Sequence, residues 1–436
     1  MNSLLILFGK LLSTISRFLN VGSGSTWPGH IALNINKNFI KQIINKNPLL
    51  KIILIAGTNG KTTTGKLIQT ILEKNGRKVF QNESGANLLN GIASTLIHQC
   101  NEVGKIDKDF AIFEIDENTL PLILKEINNP GYIIILNLFR DQLDRYGEVN
   151  TIAAKWKMAL NKLSSKTKLI LNADDPQVAF LGEKSKAKVL YFGVDSKNKT
   201  EKVQHASDST YCPNCGKKLI YKSIYFSHLG DWFCKNCKLK QPNNIFTKTS
   251  FYPLSGTYNE YNTNAAVLLA TQIDTDNKEI SSALRDFKPA FGRQEDLKIN
   301  NKRIKIFLSK NPTSFNESLR TIASLNAKNL LIVLNDRIPD GRDVSWIWDV
   351  DIEEYIKNFN SVIISGDRAL DMGLRIKYSY SSEFPISNSK FQIAEDLKKA
   401  IALGLKNTPK SETLHILPTY SAMLEVRKIL TGKKIL

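Results

Sequence analysis

The 436-residue sequence has no apolar run of the roughly 18 residues that a membrane-spanning helix requires. Its nearest candidate, residues 3–19, is interrupted by Lys10 and Arg17, and no small-residue cleavage site follows, which argues against a secretory signal. Acidic residues are scarce beside basic ones, 41 against 60, which gives a formal net charge of +19. This excess favours an anionic partner, either nucleic acid, an acidic membrane surface or a phosphorylated substrate.

Cysteine is also rare, yet four of the five cysteines form one motif with the spacing C-x₂-C-x₁₈-C-x₂-C. They are Cys212, Cys215, Cys234 and Cys237. Two such pairs can present four thiolates tetrahedrally to Zn²⁺, and four protein ligands leave no open position, so the predicted zinc site is structural. It would hold together an insert, about residues 205–245, that is too short to bury its own core. Two disulfides are the alternative, which the lack of a secretory signal disfavours. Cys100 is predicted to be a buried apolar residue.

A glycine-containing loop follows the first predicted strand, Ile52–Ala56, and precedes a helical pattern of apolar residues. The loop consists of Gly57, Thr58, Asn59, Gly60, Lys61, Thr62 and Thr63. Its N–H groups and the positive end of the helix form a cradle for phosphate oxygens, Lys61 adds a charge, and Thr62 can offer a hydroxyl to Mg²⁺. The pattern predicts a nucleoside triphosphate site, with an ordinary strand-to-helix turn as the alternative.

Acidic residues follow other predicted strands at the same sheet edge. Glu114 lies near the end of the strand Ala111–Asp116, where a carboxylate beside a phosphate loop is well placed to hold Mg²⁺, and Asp116 and Glu117 are further candidates. The buried strand that begins at Tyr132 runs into a charged turn. Another strand ends at the acidic turn Asn172–Asp175.

The flanking segments complete a three-part organisation. Residues 1–48 are predicted to hold an amphipathic helix and, from Gly22 to Gly29, a flexible connector. The helix either docks on the next domain or contacts a membrane surface or a partner. Residues 49–296 are predicted to form the ATP-binding domain. Residues 297–436 are predicted to form a smaller parallel α/β domain with strands at 304–309, 329–335, 361–365 and 413–417.

Two features of the last domain are candidates for function. Lys310 follows its first strand and could reach the phosphate site when the domains close. The segment Asp336–Asp349 contains Trp346, Trp348 and four aspartates. Exposed Trp and Arg near acids are typical of a protein interface. A tryptophan pair that fills the domain core is the alternative, although it leaves the aspartates unexplained.

The loop Gly-Thr-Asn-Gly-Lys-Thr-Thr, with Ile55 where the stricter phosphate-loop pattern has glycine, resembles that of the Mur ligases and their folylpolyglutamate synthase relatives. The resemblance implies a central Mur ligase-type ATPase domain, a Rossmann-like C-terminal domain, and ATP-Mg²⁺ chemistry that turns a carboxylate into an acyl phosphate. It implies that Glu114 binds Mg²⁺, that Asn259 and Asn262 lie at the nucleotide, and that Arg293 reaches phosphate.

Two further positions follow from the resemblance. Lys155 matches a lysine that is carbamylated in many Mur ligases, with an ordinary exposed helix lysine as the alternative. Gln142 stands where the family has a histidine near a second metal ion, and glutamine is a poor metal ligand.

Within the Mur ligases, the chain is similar over essentially its whole length to the MurT family. The similarity lies in the segment Asn137–Arg145, the four cysteines, the short N-terminal segment and the loop Asp340–Asp349. It implies ATP-dependent amidation of the D-glutamate α-carboxylate of lipid II to D-isoglutamine at the cytoplasmic face of the membrane. The ammonia would come from a GatD-like glutamine amidotransferase in a heterodimer. It further implies that Asp349, with Asp343 as second choice, orients the partner's catalytic histidine.

The sequence leaves two rivals. A Mur or folylpolyglutamate-type ligase would join an amino acid and would need neither glutamine nor an interface loop. A zinc-ribbon, nucleic-acid-binding ATPase would bind DNA or RNA with strong salt dependence. Because the cysteines lie inside a ligase-like domain, we do not expect nucleic acid among the partners. The chain has no Gly-x-Cys-x-Gly elbow, so ammonia from glutamine requires a partner subunit.

Overall fold

The computed structural model describes residues 1–18, 26–83, 85–141, 148–195, 204–379 and 390–432. Three N-terminal helices come first, Asn2–Phe18, Trp27–Ile35 and Phe39–Lys46. Apolar residues of all three join the core on one face of the central sheet. The predicted connector is therefore wrong at residues 27–29, which begin a helix with proline in its first turn, a favoured position because proline lacks an N–H. Residues 19–25 lie outside the described residues.

The central domain is built on a seven-stranded sheet in the order β2-β3-β1-β4-β5-β6-β9, with all paired strands parallel. The strands are β1 Lys51–Ala56, β2 Val79–Gln81, β3 Phe110–Glu114, β4 Tyr132–Ile135, β5 Lys168–Asn172, β6 Lys188–Phe192 and β9 Ile245–Phe246. The helices that accompany them are Lys61–Lys74, Leu89–Gln99, Leu120–Glu126, Val149–Leu160, Pro176–Phe180, Thr257–Thr271 and Asn277–Arg285.

Both faces of this sheet are covered, which explains its apolar strands. In β1, Ile52 and Leu54 join the core on one face, and Ile53 and Ile55 join the core on the other. A strand buried on both sides reads as a continuous apolar run because successive side chains point to opposite faces. Since β1 lies between β3 and β4, the loops after these three strands meet at the carboxyl edge of the sheet, where ligands bind in open α/β folds.

The segment between β6 and β9 contains a separate antiparallel hairpin, β7 Ile220–Phe226 and β8 Leu229–Phe233. We call residues 204–244 the Cys₄ insert, because all four clustered cysteines lie in it. Its small core includes Leu219, Trp232 and Cys234. The Trp232 indole N–H donates to the carbonyl of Ala173 at 3.0 Å, which anchors the insert to the end of β5.

The C-terminal domain has a six-stranded sheet in the order β10-β11-β15-β12-β13-β14. The strands are β10 Arg293–Ile299, β11 Lys302–Phe307, β12 Asn329–Val333, β13 Ser361–Ser365, β14 Phe391–Ile393 and β15 Thr413–Pro418. The α-helices are Pro312–Ser324, Ile352–Tyr355, Ala369–Tyr378, Leu397–Asn407 and Tyr420–Thr431, with 3₁₀ turns at Ser345–Asp349 and Ile356–Asn358. Strand β10 pairs antiparallel with β11, and the other pairs are parallel.

The predicted domain boundary at residue 297 cuts through β10, because the C-terminal sheet begins at Arg293. This charged edge strand lacks the apolar alternation that would have marked it as a strand. The four predicted strands of the domain agree with β11, β12, β13 and β15, and the predicted α/β fold with two sheet domains is confirmed. Among the described helices, none combines the length and hydrophobicity that crossing a bilayer requires.

Candidate active site at the domain junction

The phosphate-type loop follows β1 at the centre of the sheet edge, and the helix Lys61–Lys74 begins at its end. Gly60 has φ of +93°, and a Cβ there would lie 2.1 Å from Oδ1 of Asn262, so both conformation and space require glycine. Asn137, which follows β4, accepts from the Asn59 N–H at 2.9 Å and donates to the Asn59 carbonyl at 3.0 Å. Two neighbouring strands therefore hold the loop in shape.

Lys61, Thr62 and Glu114 meet at this loop. The Lys61 amine bonds the carbonyls of Gly57 and Thr58 and lies 3.5 Å from the Glu117 carboxylate. The Thr62 hydroxyl donates to Oε2 of Glu114 at 2.8 Å. Burial raises the pKa of Glu114, while the Thr62 hydrogen bond and the charge of Arg293 oppose the rise.

The same cluster offers oxygen atoms suited to a hard cation. Oε1 of Glu114 is buried without a hydrogen-bond partner in the described part of the chain. With the Thr62 hydroxyl beside it, this is the donor type that Mg²⁺ prefers, so these residues fit the ion.

Lys310 of the C-terminal domain reaches this edge of the central sheet and forms an ion pair with Asp141. Burial alone would lower the pKa of Lys310, but the carboxylates of Asp141 and Glu117 outweigh it and raise that pKa. A second contact joins the domains, because the Asn311 amide donates to Oδ1 of Asn59 in the loop at 3.1 Å. The start of the helix Pro312–Ser324 thus lies against the phosphate-type loop.

Next to the loop, a cavity between the two domains is lined by Asn259, Asn262 and Arg293. The two asparagines bond each other, with Nδ2 of Asn262 donating to Oδ1 of Asn259 at 3.2 Å. Glu317 also lines the cavity; its Oε1 forms an ion pair with Arg320, whereas its Oε2 lacks a hydrogen-bond partner among the described residues. Burial raises the pKa of Glu317 to about 7, and the guanidinium of Arg320, 2.9 Å away, opposes the rise.

The tip of the β7–β8 hairpin forms another wall of this cavity through Phe226 and Leu229. The Phe226 ring packs against Phe139 at 6.2 Å and Tyr261 at 5.7 Å between centroids. A guanidinium N–H of Arg320 donates to the carbonyl of Tyr225 at 3.1 Å, so the hairpin also contacts the C-terminal domain. The insert therefore contributes one wall of the cavity and contacts both domains.

The four cysteines of the insert form a cluster that could hold a metal ion, with all Sγ atoms within 4.8 Å of one another. The closest pairs, Cys212 with Cys237 and Cys215 with Cys234, are 3.5 and 3.6 Å apart. These separations are too long for disulfides, and sulfurs bound tetrahedrally to zinc at about 2.3 Å would lie about 3.8 Å apart. The residues fit zinc. Cys100 is buried, and burial raises its thiol pKa to about 11.

The acidic turn after β5, Asn172–Asp175, contacts the insert. Oδ2 of Asp174 accepts from the Tyr261 hydroxyl at 2.6 Å, and its Oδ1 accepts from Gln241 at 2.6 Å. Asp175 caps the helix Pro176–Phe180 and lies 3.5 Å from the buried His228 at the hairpin tip.

Asp349 ends a 3₁₀ turn, and its Oδ2 lies 3.4 Å from a guanidinium nitrogen of Arg140. Its side chain is 41% exposed and can therefore meet a partner. Asp343 is held locally, because its carboxylate accepts from the N–H and the hydroxyl of Ser345 at 2.8 and 2.9 Å. Of the two tryptophans, Trp346 packs on Phe315 inside the domain, whereas Trp348 is 51% exposed.

Two further positions were predicted from the resemblance, Lys155 and Gln142. Lys155 is exposed on the helix Val149–Leu160, with its amine 3.5 Å from Oδ1 of Asn118. Its carbamylation stays a prediction. Gln142 lies outside the described residues.

The sequence did not point to Arg140, Asp141, Phe226 or Glu317 as site residues. Arg140 and Asp141 belong to a segment with a recognisable motif, and their charges within it would have indicated a role in the site. Glu317 gave no such signal, since it lies on the opposite face of its helix from Phe315, Leu319 and Ile322. Phe226 gave none either.

This architecture is shared with solved ligases. A pseudomurein peptide ligase type C from Methanothermus fervidus matches with a TM-score of 0.65 at 24% identity, covering 92% of this chain and 84% of that one. A MurF ligase from Thermotoga maritima, solved in complex with ADP, matches with a TM-score of 0.59 at 13% identity, covering 90% and 82%. The family model "Mur ligase middle domain" matches residues 55–270. The protein therefore has the Mur ligase fold.

Curated relatives narrow the class. The MurT subunit of lipid II isoglutaminyl synthase (glutamine-hydrolyzing) from Staphylococcus aureus strain COL is 32% identical over 397 residues, 87% of each chain. The subunit of the same name from Streptococcus pneumoniae is 31% identical over 451 residues, covering 98% of this chain and 97% of that one. The model "MurT ligase C-terminal" matches residues 308–423. The chain belongs to the MurT family of Mur ligases.

Proposed function

We propose that this chain is the synthetase subunit of a lipid II isoglutaminyl synthase. It would use ATP to amidate the D-glutamate α-carboxylate of lipid II, giving D-isoglutamine for the cell wall. The observation that carries the proposal is the convergence of the phosphate-type loop, Lys310 and the exposed Asp349 around one segment, Asn137–Asp141. The name of the curated relatives, a subunit of a glutamine-hydrolyzing synthase, supports this proposal.

In the first step, a carboxylate oxygen of the substrate attacks the γ-phosphorus of ATP, which forms an acyl phosphate and releases ADP. The N–H groups from Gly57 to Thr63 would bind the phosphates, and Lys61 would turn from its loop carbonyls and Glu117 to the phosphate oxygens. Lys310 would neutralise charge on the transferred phosphoryl group from the opposite domain. Thr62 and Glu114 would hold Mg²⁺, which supplies charge neutralisation at the phosphates when bound.

In the second step, the lone pair of ammonia attacks the carbonyl carbon, and phosphate leaves with the electrons of the C–O bond. The nitrogen then loses a proton to leave the neutral amide. Asp141 is a candidate to receive it, because the carboxylate lies at the junction and burial raises its pKa. Closure of the cavity by Phe226, Leu229 and the helix Pro312–Ser324 would exclude water from the acyl phosphate.

The base and ribose of ATP would occupy the cavity between the domains, near Asn259, Asn262 and Arg293. The Cys₄ cluster would bind one structural Zn²⁺. Its role would be to hold the insert, and thereby Phe226 and Leu229, at the cavity wall.

The ammonia would come from a GatD-like glutamine amidotransferase that binds beside Asp349. Exposed apolar side chains occur in the same domain, and Trp348 packs on Tyr378 at 6.2 Å between ring centroids. These exposed residues are Ile338, Trp348, Leu370, Leu374 and Tyr378. Aromatic and aliphatic anchors around a charged residue are typical of an interface. Asp349 would orient the partner's catalytic histidine, as the third member of a triad does.

The lipid-linked substrate would bring this heterodimer to the cytoplasmic face of the membrane. The test is a reaction of the purified heterodimer with lipid II, ATP and glutamine, followed by mass spectrometry of the lipid. We expect the mass change of an acid replaced by an amide, and its loss in Lys61→Ala. Lys66→Ala, on the same helix, is the matched control and should keep activity.

The same assay separates the rivals. A product that has gained an amino acid would assign the chain to the amino-acid-adding ligases, several of which match it at lower identity. ATP hydrolysis that DNA or RNA stimulates, without change in the lipid, would contradict the ligase proposal.

A further inference from the structure

The first helix, Asn2–Phe18, has one face bound to the protein and one face bare. On the bound face, Ile6 is fully buried, and a Cβ at Gly9 would lie 2.9 Å from the side chain of Ile97. Ser13 bonds His98 at 3.1 Å, and Asn2 donates to Gln42 at 2.8 Å. The helix is therefore held along its length, and its orientation is fixed.

The opposite face carries six exposed apolar side chains. They are Met1, Leu4, Leu7, Phe8, Leu11 and Ile15, with exposures from 44% to 72%. At 100° per residue they fall within an arc of roughly 120°. A continuous apolar stripe of this size on a surface helix marks an interaction site, because scattered single residues would not align.

Charge identifies what covers the stripe. The first 72 residues contain eight Lys or Arg and no Asp or Glu, although the whole chain has 41 acidic residues. Lys37 and Lys41 are exposed and adjoin Asn36 and Gln42, which hydrogen-bond Asn2 in the first turn of the helix. The apolar stripe thus lies in a segment of one charge sign.

We propose that this face is a docking surface for an anionic lipid bilayer, on which the helix lies parallel to the membrane. Apolar side chains would enter the acyl boundary while the lysines meet lipid phosphates, the two contributions that bind interfacial helices. A second copy of the chain is disfavoured, because it would bring together two basic segments that have no Asp or Glu of their own. Trp27, which begins the next helix and is 70% exposed, suits the same boundary.

The surface is separate from the ligase site and does not depend on that activity. It is tested by flotation of the full chain with vesicles of phosphatidylglycerol and phosphatidylcholine, without lipid II, ATP or partner. We expect binding to these vesicles, weak binding to phosphatidylcholine alone, and a decrease with added salt. A chain that does not bind vesicles could still amidate lipid II, and a chain that does not amidate lipid II could still bind vesicles. The two proposals therefore fail independently.

The decisive variant is Leu4→Gln with Leu11→Gln, both on the exposed face, so the bound face is unchanged. We expect at least roughly tenfold weaker vesicle binding, because two side chains no longer enter the bilayer. The matched control is Met158→Gln with Leu325→Gln, two exposed apolar residues elsewhere, which should bind as the unaltered chain does. Equal melting temperatures would establish that all variants fold.

Three results would overturn the proposal. The first is no binding of the unaltered chain to anionic vesicles. The second is equal binding by both double variants. The third is a concentration-dependent dimer that Leu4→Gln with Leu11→Gln abolishes, which would assign the stripe to a second copy.

Discussion

Truncation of Phe226 separates two roles of the Cys₄ insert, as a folded unit and as a wall of the cavity that is proposed to bind nucleotide. Phe226 is 3% exposed and packs against Phe139 and Tyr261. Replacing a core Phe by Ala costs about 3–5 kcal/mol of unfolding free energy. We expect a value near the lower limit, because one side of the ring already faces the cavity.

The effect on nucleotide binding is a separate quantity. Because the Phe226 ring is almost fully buried before nucleotide binds, truncation removes contacts with the base rather than newly buried area. About ten pairs of ring and base atoms at about 0.1–0.2 kcal/mol each amount to about 1–2 kcal/mol, on the order of tenfold in Kd. Titration of ATP-Mg²⁺ by calorimetry, at a temperature well below the melting point of Phe226→Ala, measures this loss directly.

Phe233→Ala is the matched control, because Phe233 ends the same hairpin away from the cavity. It should destabilise the insert and leave the Kd for nucleotide unchanged. If both variants weaken nucleotide binding equally, or if Phe226→Ala changes only stability, the hairpin tip is not part of the nucleotide site and the reasoning fails.

Three other predictions follow from the same geometry. Because burial raises the pKa of Glu317 to about 7, the folded protein holds this proton more tightly than the unfolded chain. This proton contributes up to about 3 kcal/mol to the free energy of unfolding; the contribution is complete below about pH 4.5 and is lost as the pH rises through about 7. The free energy of unfolding of Glu317→Gln, measured with urea, should therefore lack this dependence on pH. Cys237→Ser should lower the bound zinc, measured by elemental analysis, and the melting temperature, whereas Cys100→Ser should keep the zinc. Asp349→Asn should lower glutamine hydrolysis by the heterodimer on the order of 10³-fold or more while nucleotide affinity stays unchanged, and added ammonium should restore amidation.

Motifs whose geometry is local were predictable from the sequence. The loop from Gly57 to Thr63 has a fixed shape because glycine conformation and the start of a helix define it within a few residues. The cysteine pairs are similar, since each pair makes its own turn and only the meeting of the two turns is tertiary. The alternation of apolar strands and helices was enough to predict two α/β domains.

Contacts between distant segments were not predictable. Lys310 and Asp141 are 169 residues apart, and nothing near either residue specifies the other. Strand β10 was missed because its side chains are mostly charged and its pairing depends on β11. The approach of Phe226 to the cavity depends on how the insert docks on Ala173 and Asp174, which the cysteine spacing does not encode.

The segment Asn137–Asp141 joins every part of the proposed machinery. Asn137 holds the phosphate-type loop, Phe139 packs against the insert, Arg140 contacts Asp349, and Asp141 pairs with Lys310. A nucleotide that favours this closed arrangement would thereby fix the position of Asp349 on the partner's side. Coupling between two binding sites is reciprocal. If bound nucleotide raises the affinity of the chain for its partner by some factor, bound partner must raise the affinity for nucleotide by the same factor. Glutamine hydrolysis would then depend on ATP binding through the contact between Arg140 and Asp349, which avoids ammonia release when no acyl phosphate can form.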